Sequence, residues 1–214
     1  MRLLSLLLLP FIVFACSTSK QLVQSAQTNF SPAETSLILA EKSNVPMRVL
    51  QINIPKDSIV LRTKSQPVKF FANDTLLHHF TKRLYSTVQD PATKGVGIAA
   101  PQVGILKNII WIQRFDKENH PFEVYYNPQI DKYTELKQTV LEGCLSIPDI
   151  QDTLHMRAYA ILLQYDNPKG QHICEMIEDF TAVIFQHEID HLNGIIFTDH
   201  LAKERAASGK HDLD

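Results

Sequence analysis

The run His187-Glu188-Ile189-Asp190-His191 constrains the chain more than any other stretch. On a helix, positions i and i+4 lie about one turn apart on one face, so both imidazoles can converge on a single ion with Glu188 beside them. The apolar spacing predicts that helix from about Phe180 to Asn193, ended by Gly194, a natural residue for the left-handed cap position. A catalytic ion usually keeps three protein ligands and one open position, so the fold must bring a third ligand to this helix.

Downstream options for that ligand are poor. Gly194 matches the glycine of a metalloprotease pattern, H-E-x-x-H-x-x-G-x-x-H, but Phe197 stands where its third histidine belongs, and a phenyl ring cannot ligate. His200 falls one turn too late, and Glu204 precedes only the end of the chain. Upstream, Cys144 lies in Glu142-Gly143-Cys144-Leu145-Ser146-Ile147-Pro148, after the apolar Val140 and Leu141. A thiolate on a strand edge facing the helix would complete a Cys144, His187, His191 site, the ion itself keeping the sulfur deprotonated. Taken alone, such a cysteine is more often an inert buried thiol.

The remaining chain is that of one globular domain: 214 residues, 44% hydrophobic and 21% charged. A formal charge of −2 without a basic block excludes a nucleic-acid partner. Three cysteines, at 16, 144 and 174, are too few for a disulfide framework, and Cys174 reads as a buried free thiol in a strand. Residues 1–16 form a lipoprotein-type signal segment, with Arg2, an apolar run from Leu3 to Phe14, then Ala15 and the lipidation candidate Cys16. That run, at 1.5 Å per residue, spans about 18 Å, short of a ~30 Å hydrocarbon core. Residues 17–44 read as a polar linker, in which a short helix around Glu34 to Glu41 would bury little. A catalytic domain follows over 45–205, and 206–214 is a polar tail.

Within the domain, alternation predicts a strand over Val49 to Ile54, closed by Pro55 and Asp57. A helix is predicted over Thr75 to Val88 with Asp74 as its N-cap. Further strands are expected at Ile109 to Ile112, Val124 to Tyr126 and Ala158 to Tyr165. Strands without regular βαβ alternation make the fold class α+β.

A third motif, Gly95-Val96-Gly97-Ile98-Ala99-Ala100-Pro101-Gln102, joins the other two. In order and spacing, the three resemble the signatures of the peptide deformylases, a likeness that covers roughly residues 47 to 200. The resemblance implies antiparallel sheets packed around a central helix carrying H-E-x-x-H. It also implies removal of the formyl group from N-formylmethionyl peptides, with water activated by the ion as nucleophile. Carried over by position, Cys144, His187 and His191 hold one divalent ion, Fe(II) first, with Zn(II) or Ni(II) able to replace it. Glu188 is then the acid/base, and Gln102 with the backbone N–H of Leu145 polarises the formyl oxygen. Gly95, Val96 and Gly97 would let an N-formylated peptide approach the strand and pair with it.

The chain departs from the family pattern at Gln151, where an arginine is usual, followed by Asp152; together they put negative charge beside the expected cleft mouth. The usual V-P-R run is replaced by Leu154-His155-Met156-Arg157, with one extra residue before His187. The leader implies a lipid-anchored protein of the bacterial cell envelope. A start at Met47 would instead give a cytoplasmic form. Two other readings remain: an exported peptide-binding lipoprotein that keeps fold and metal without turnover, and a zincin-like protease.

Overall fold

The computed structural model describes residues 28–92 and 94–209. The signal segment 1–16 with Cys16, the first part of the linker and the last five residues of the tail lie outside the described residues.

Helix α3 (Thr75–Val88; after α1, Pro32–Leu39, and α2, Pro55–Leu61) has the predicted bounds, with Asp74 accepting a hydrogen bond from the Leu77 amide at 2.9 Å. Strand β1 (Gly97–Ala99) runs into a 3-10 turn (Ala100–Val103), followed by β2 (Ile109–Gln113) and β3 (Phe122–Tyr133). The hairpin β4 (Lys137–Cys144) and β5 (Ile147–Ala158) stands apart as a two-stranded sheet. Strands β6 (Ala160–Asp166) and β7 (His172–Glu178) complete a five-stranded antiparallel sheet of order β1-β2-β3-β6-β7.

Alternating side chains put the two faces of that sheet to different uses. Ile110, Ile112 and Leu163 meet Phe185, Ile189 and Leu192 of α4 (Asp179–Leu192), and Tyr125 packs edge-to-face on Phe185 with ring centroids 4.8 Å apart. On the opposite face, Ile98, Ile109 and Trp111 meet Leu77, Phe80 and Leu84 of α3, and Trp111 Nε1 donates to the Thr81 carbonyl at 2.9 Å. Helix α4 is covered by the sheet on one side and by the β4–β5 hairpin on another, so it is apolar well round its circumference, as a central helix must be. It ends at Gly194 with φ +73°, where a Cβ would run into the Arg62 carbonyl, so the glycine is required on both counts. A last helix, α5 (Phe197–Ala207), docks through Phe197 and Ile196 onto Ile147 and Leu154 of β5.

Three expectations need correction. No strand forms over Val49 to Ile54. The alternation is genuine, since the Leu50 amide donates to the Gln102 carbonyl at 2.7 Å and the Ile52 amide to the Ser146 carbonyl at 2.9 Å. The two acceptors belong to different segments, so no ladder develops, and Pro55 opens α2 at a position where a missing N–H costs nothing. Second, the expected linker is packed from Asn29 onward. Phe30 and Ile38 are buried in the α3 core, and α1 carries a reciprocal cap between Ser31 and Glu34. Glu34 also accepts from the Leu106 amide at 3.1 Å, so the helix is fastened by single anchors rather than by a periodic face. Third, Cys174 sits in a strand but is exposed, because it shares the uncovered face of β7 with His172 and Met176 while Ile177 points into the core.

Candidate metal centre

Helix α4 presents His187 and His191 one turn apart, with ring centroids separated by 5.1 Å. Strand β4 ends at Cys144, whose sulfur lies 3.2 Å from His191 Nε2. The sulfur and one nitrogen of each histidine all lie within 4.8 Å of one another. Donors held at about 2.0–2.3 Å around a tetrahedral ion stand roughly 3.5 Å apart, so this thiol and two imidazoles fit a divalent ion of the Zn or Fe class. Phe197, which rules out the metalloprotease pattern, is buried with its ring stacked 6.1 Å from that of His187 and acts as a wall for the imidazole.

Each donor is oriented by a further contact. Glu142 and Cys144, two apart on β4, face the same way, and Glu142 Oε2 takes His187 Nδ1 at 2.8 Å, which leaves the other nitrogen for the site. Arg157 holds Glu142 with two bonds, 2.7 and 3.0 Å, and reaches Asp190 at 2.7 Å. Asp190 in turn meets His200 Nε2 at 2.8 Å. The Ser146 amide, at 3.4 Å, and Gln102 Nε2, at 3.7 Å, point at the Cys144 sulfur.

The charges follow from these contacts. Burial pushes the Cys144 thiol up, but the His191 and His187 imidazoles outweigh it and hold the thiol well below its ordinary value. Burial likewise opposes charge on His187, and the Cys144 sulfur and Glu142 carboxylate reverse it. Burial raises Glu142 too, but His187 and Arg157 bring it down to about 2. For Glu188 burial outweighs the opposing His187 and His191 imidazoles and drives the carboxyl up to about 7. Its Oε2, like His191 Nδ1, is buried without a hydrogen-bond partner among the described residues. A carboxyl poised near neutrality beside the donor cluster is suited to passing a proton.

All three motifs open onto one cavity of about 850 Å³. Cys144, His187, Glu188, Gln102, Leu145 and the Gly95-Val96-Gly97 stretch all line it, and His191, itself buried, joins them through the donor cluster behind the cavity wall. Gln102 Oε1 accepts the Ala99 amide at 2.8 Å, fixing the side chain so that its NH₂ faces Ser146 Oγ and the sulfur. Gln51 Nε2 donates to the Leu145 carbonyl at 3.1 Å, so the segment 50–52 braces both Gln102 and the 145–146 turn. Gln151 lines the cavity wall opposite Gly143. The charge expected from Asp152 does not reach the cavity, since Arg205 of α5 pairs with it at 2.9 Å. Sequence reasoning assigned no role to Arg157, Asp190, His200 or Ser146. All but His200 lie inside runs the sequence singled out, Arg157 as the end of Leu154-His155-Met156-Arg157, but nothing local shows that its side chain turns inward.

With this geometry in hand, the chain was compared with known proteins. A family model described as Polypeptide deformylase matches residues 47–207. The peptide deformylase of Synechocystis is 34% identical over 77% of this chain and 86% of its own. Peptide deformylase 2 of Clostridium acetobutylicum is 39% identical over 72% of this chain and 95% of its own. Among solved structures, a Met-Ala-Ser-bound class I type b peptide deformylase from Acinetobacter baumannii aligns with TM-score 0.65 and 29% identity, covering 73% of this chain and 99% of that one. The Thermotoga maritima peptide deformylase aligns with TM-score 0.62 and 32% identity, covering 72% and 96%.

Proposed function

The chain belongs to the polypeptide deformylase family, and from that premise we propose that it is a metal-dependent hydrolase that removes the formyl group from N-formylmethionyl peptides. The observation that carries the reading is the convergence of Cys144, His187 and His191 beside a buried Glu188 at the floor of the cavity. Fe(II) is the ion proposed, with Zn(II) or Ni(II) suited to the same mixed thiolate and imidazole donors. Bound there, a divalent ion supplies Lewis acidity toward a carbonyl oxygen and toward water.

The chain's own groups do the rest. Glu188 takes the proton from the attacking water and returns it to the leaving amine, the two-way role for which a value near 7 equips it. The Gln102 NH₂ and the Leu145 N–H donate to the formyl oxygen as charge gathers there, one such donor contributing ~3 kcal/mol in the transition state. Strand β1 is an edge strand, and the Gly95-Val96-Gly97 stretch at its start lets an extended peptide add alongside it.

Metal-loaded protein should release formate from formyl-Met-Ala-Ser, lose that activity on chelation and regain it on reloading. Folded protein that binds the peptide yet releases no formate with Fe(II), Zn(II) or Ni(II) would establish the peptide-binding reading instead.

A separate proposal concerns the leader. Arg2, the apolar run and Ala15-Cys16 support lipidation at Cys16 and anchoring in the cell envelope. No helix among the described residues is long and apolar enough to cross a membrane. Mass spectrometry of the mature protein should find a diacylglyceryl-modified Cys16 at its N-terminus; an N-terminus at Met1 or Met47 would rule the anchor out.

A further inference from the structure

Strand β5 holds one residue more than β4 can pair. Gln138 faces Arg157 and Val140 faces Leu154, so Thr139 alone stands opposite both His155 and Met156. This is a β-bulge, and it inverts the facing of everything after it. Regular alternation from the buried Leu154 would turn Met156 inward and Arg157 out. Instead His155 and Met156 are both exposed and Arg157 is buried.

A bulge leaves amides without ladder partners, and here both go to one side chain. The His155 amide donates to Glu204 Oε2 at 3.0 Å and Oε1 at 3.1 Å, and the Met156 amide to Oε1 at 2.9 Å. Glu204 lies on α5, nearly fifty residues further along, so the clamp is tertiary. From the bulge the contacts continue without a gap: Arg157 to Glu142, and Glu142 to His187 Nδ1.

We propose that Glu204 is a positioning residue for the metal centre: its carboxylate clamps the β5 bulge that turns Arg157 toward Glu142, and so fixes the ring of His187. The proposal rests on the metal-hydrolase reading, but its test is read on metal binding as well as on turnover. Groups that orient a ligand typically change metal affinity or activity by about 10–100-fold.

With Co(II) as the probe, Glu204→Ala in the full chain should weaken metal affinity about tenfold, shift the visible ligand-field bands and lower kcat with KM nearly unchanged. Glu204→Gln, which keeps one acceptor oxygen, should fall between. Removing Met156 makes β5 regular while still leaving Arg157 inward, so in that background Glu204→Ala should no longer alter affinity or spectrum. Unchanged Co(II) affinity and bands in Glu204→Ala, even with a lowered Tm, would overturn the proposal, as would an equal loss with and without Met156. Absence of Co(II) binding by the unsubstituted protein would overturn both proposal and reading, whereas Co(II) binding without formate release would overturn the reading alone.

Discussion

A chain begun at Met47 is expected to lose its cooperative folded state, although the family match begins at that residue. The reason is Arg83 on α3, a buried guanidinium that donates to backbone carbonyls. Its recorded acceptors are the carbonyls of Leu37, Ile38, Val45 and Pro46, at 2.9 to 3.3 Å, and all four precede Met47. The same segment inserts Phe30, edge-on to Phe80 at 5.6 Å, and Ile38. Loss of a buried Phe and Ile costs about 3–5 and 2–5 kcal/mol, and the Arg83 guanidinium loses four acceptors that water entering the vacated groove replaces only by wetting Phe80 as well. The sum matches the whole stability of a typical domain, about 5–15 kcal/mol. Urea unfolding of chains begun at Thr28 and at Met47 checks this: the first should show one cooperative transition and the second none. A Met47 chain with a midpoint close to that of the Thr28 chain would show the segment to be dispensable. If the truncated chain does not fold, an internal start cannot supply a folded cytoplasmic form.

What the sequence discloses and what it hides divide along physical lines. The candidate ligands His187 and His191 are legible because helical spacing alone puts them on one face, and Cys144 because its motif completes their donor set. Helix α3 is legible to its last residue, since both its cap and its period are local. Features that depend on distant partners are not. The 49–54 alternation looks like a strand because its amides do pair at every second residue, and only the fold shows that the acceptors lie in two segments. Arg157 is invisible because its inward facing is created by the bulge, and the bulge is held from α5. Asp152 suggests a charged cleft mouth until Arg205 arrives to pair with it.

Gly97 shows how a correct motif can carry an incomplete reason, and it sets the second large effect. Its backbone needs no glycine, since its φ is not in the left-handed region; what it needs is space. A Cβ built there would lie 2.6 Å from Glu188 Oε1, 2.9 Å from Glu188 Cγ and 2.9 Å from Ile184 Cγ2. Rotating the carboxylate alone does not relieve the overlap, because Glu188 Cγ and Ile184 Cγ2 belong to buried residues fixed on α4. Gly97→Ala must therefore displace the carboxylate, and a shift of about 1 Å at a catalytic group can cost on the order of 10²-fold in rate. Glu188→Gln removes the proposed proton carrier while keeping its shape, with an expected loss of about 10²–10⁴-fold in kcat. The two variants should behave alike in two measurements and differ in a third: kcat for formate release collapses and Co(II) affinity is kept in both, whereas Tm changes little for Glu188→Gln and falls for Gly97→Ala. In the double variant the losses should not multiply, because both act through the same oxygen atoms. If Gly97→Ala instead raises KM and spares kcat, the glycine serves the approaching peptide and not the carboxylate behind it.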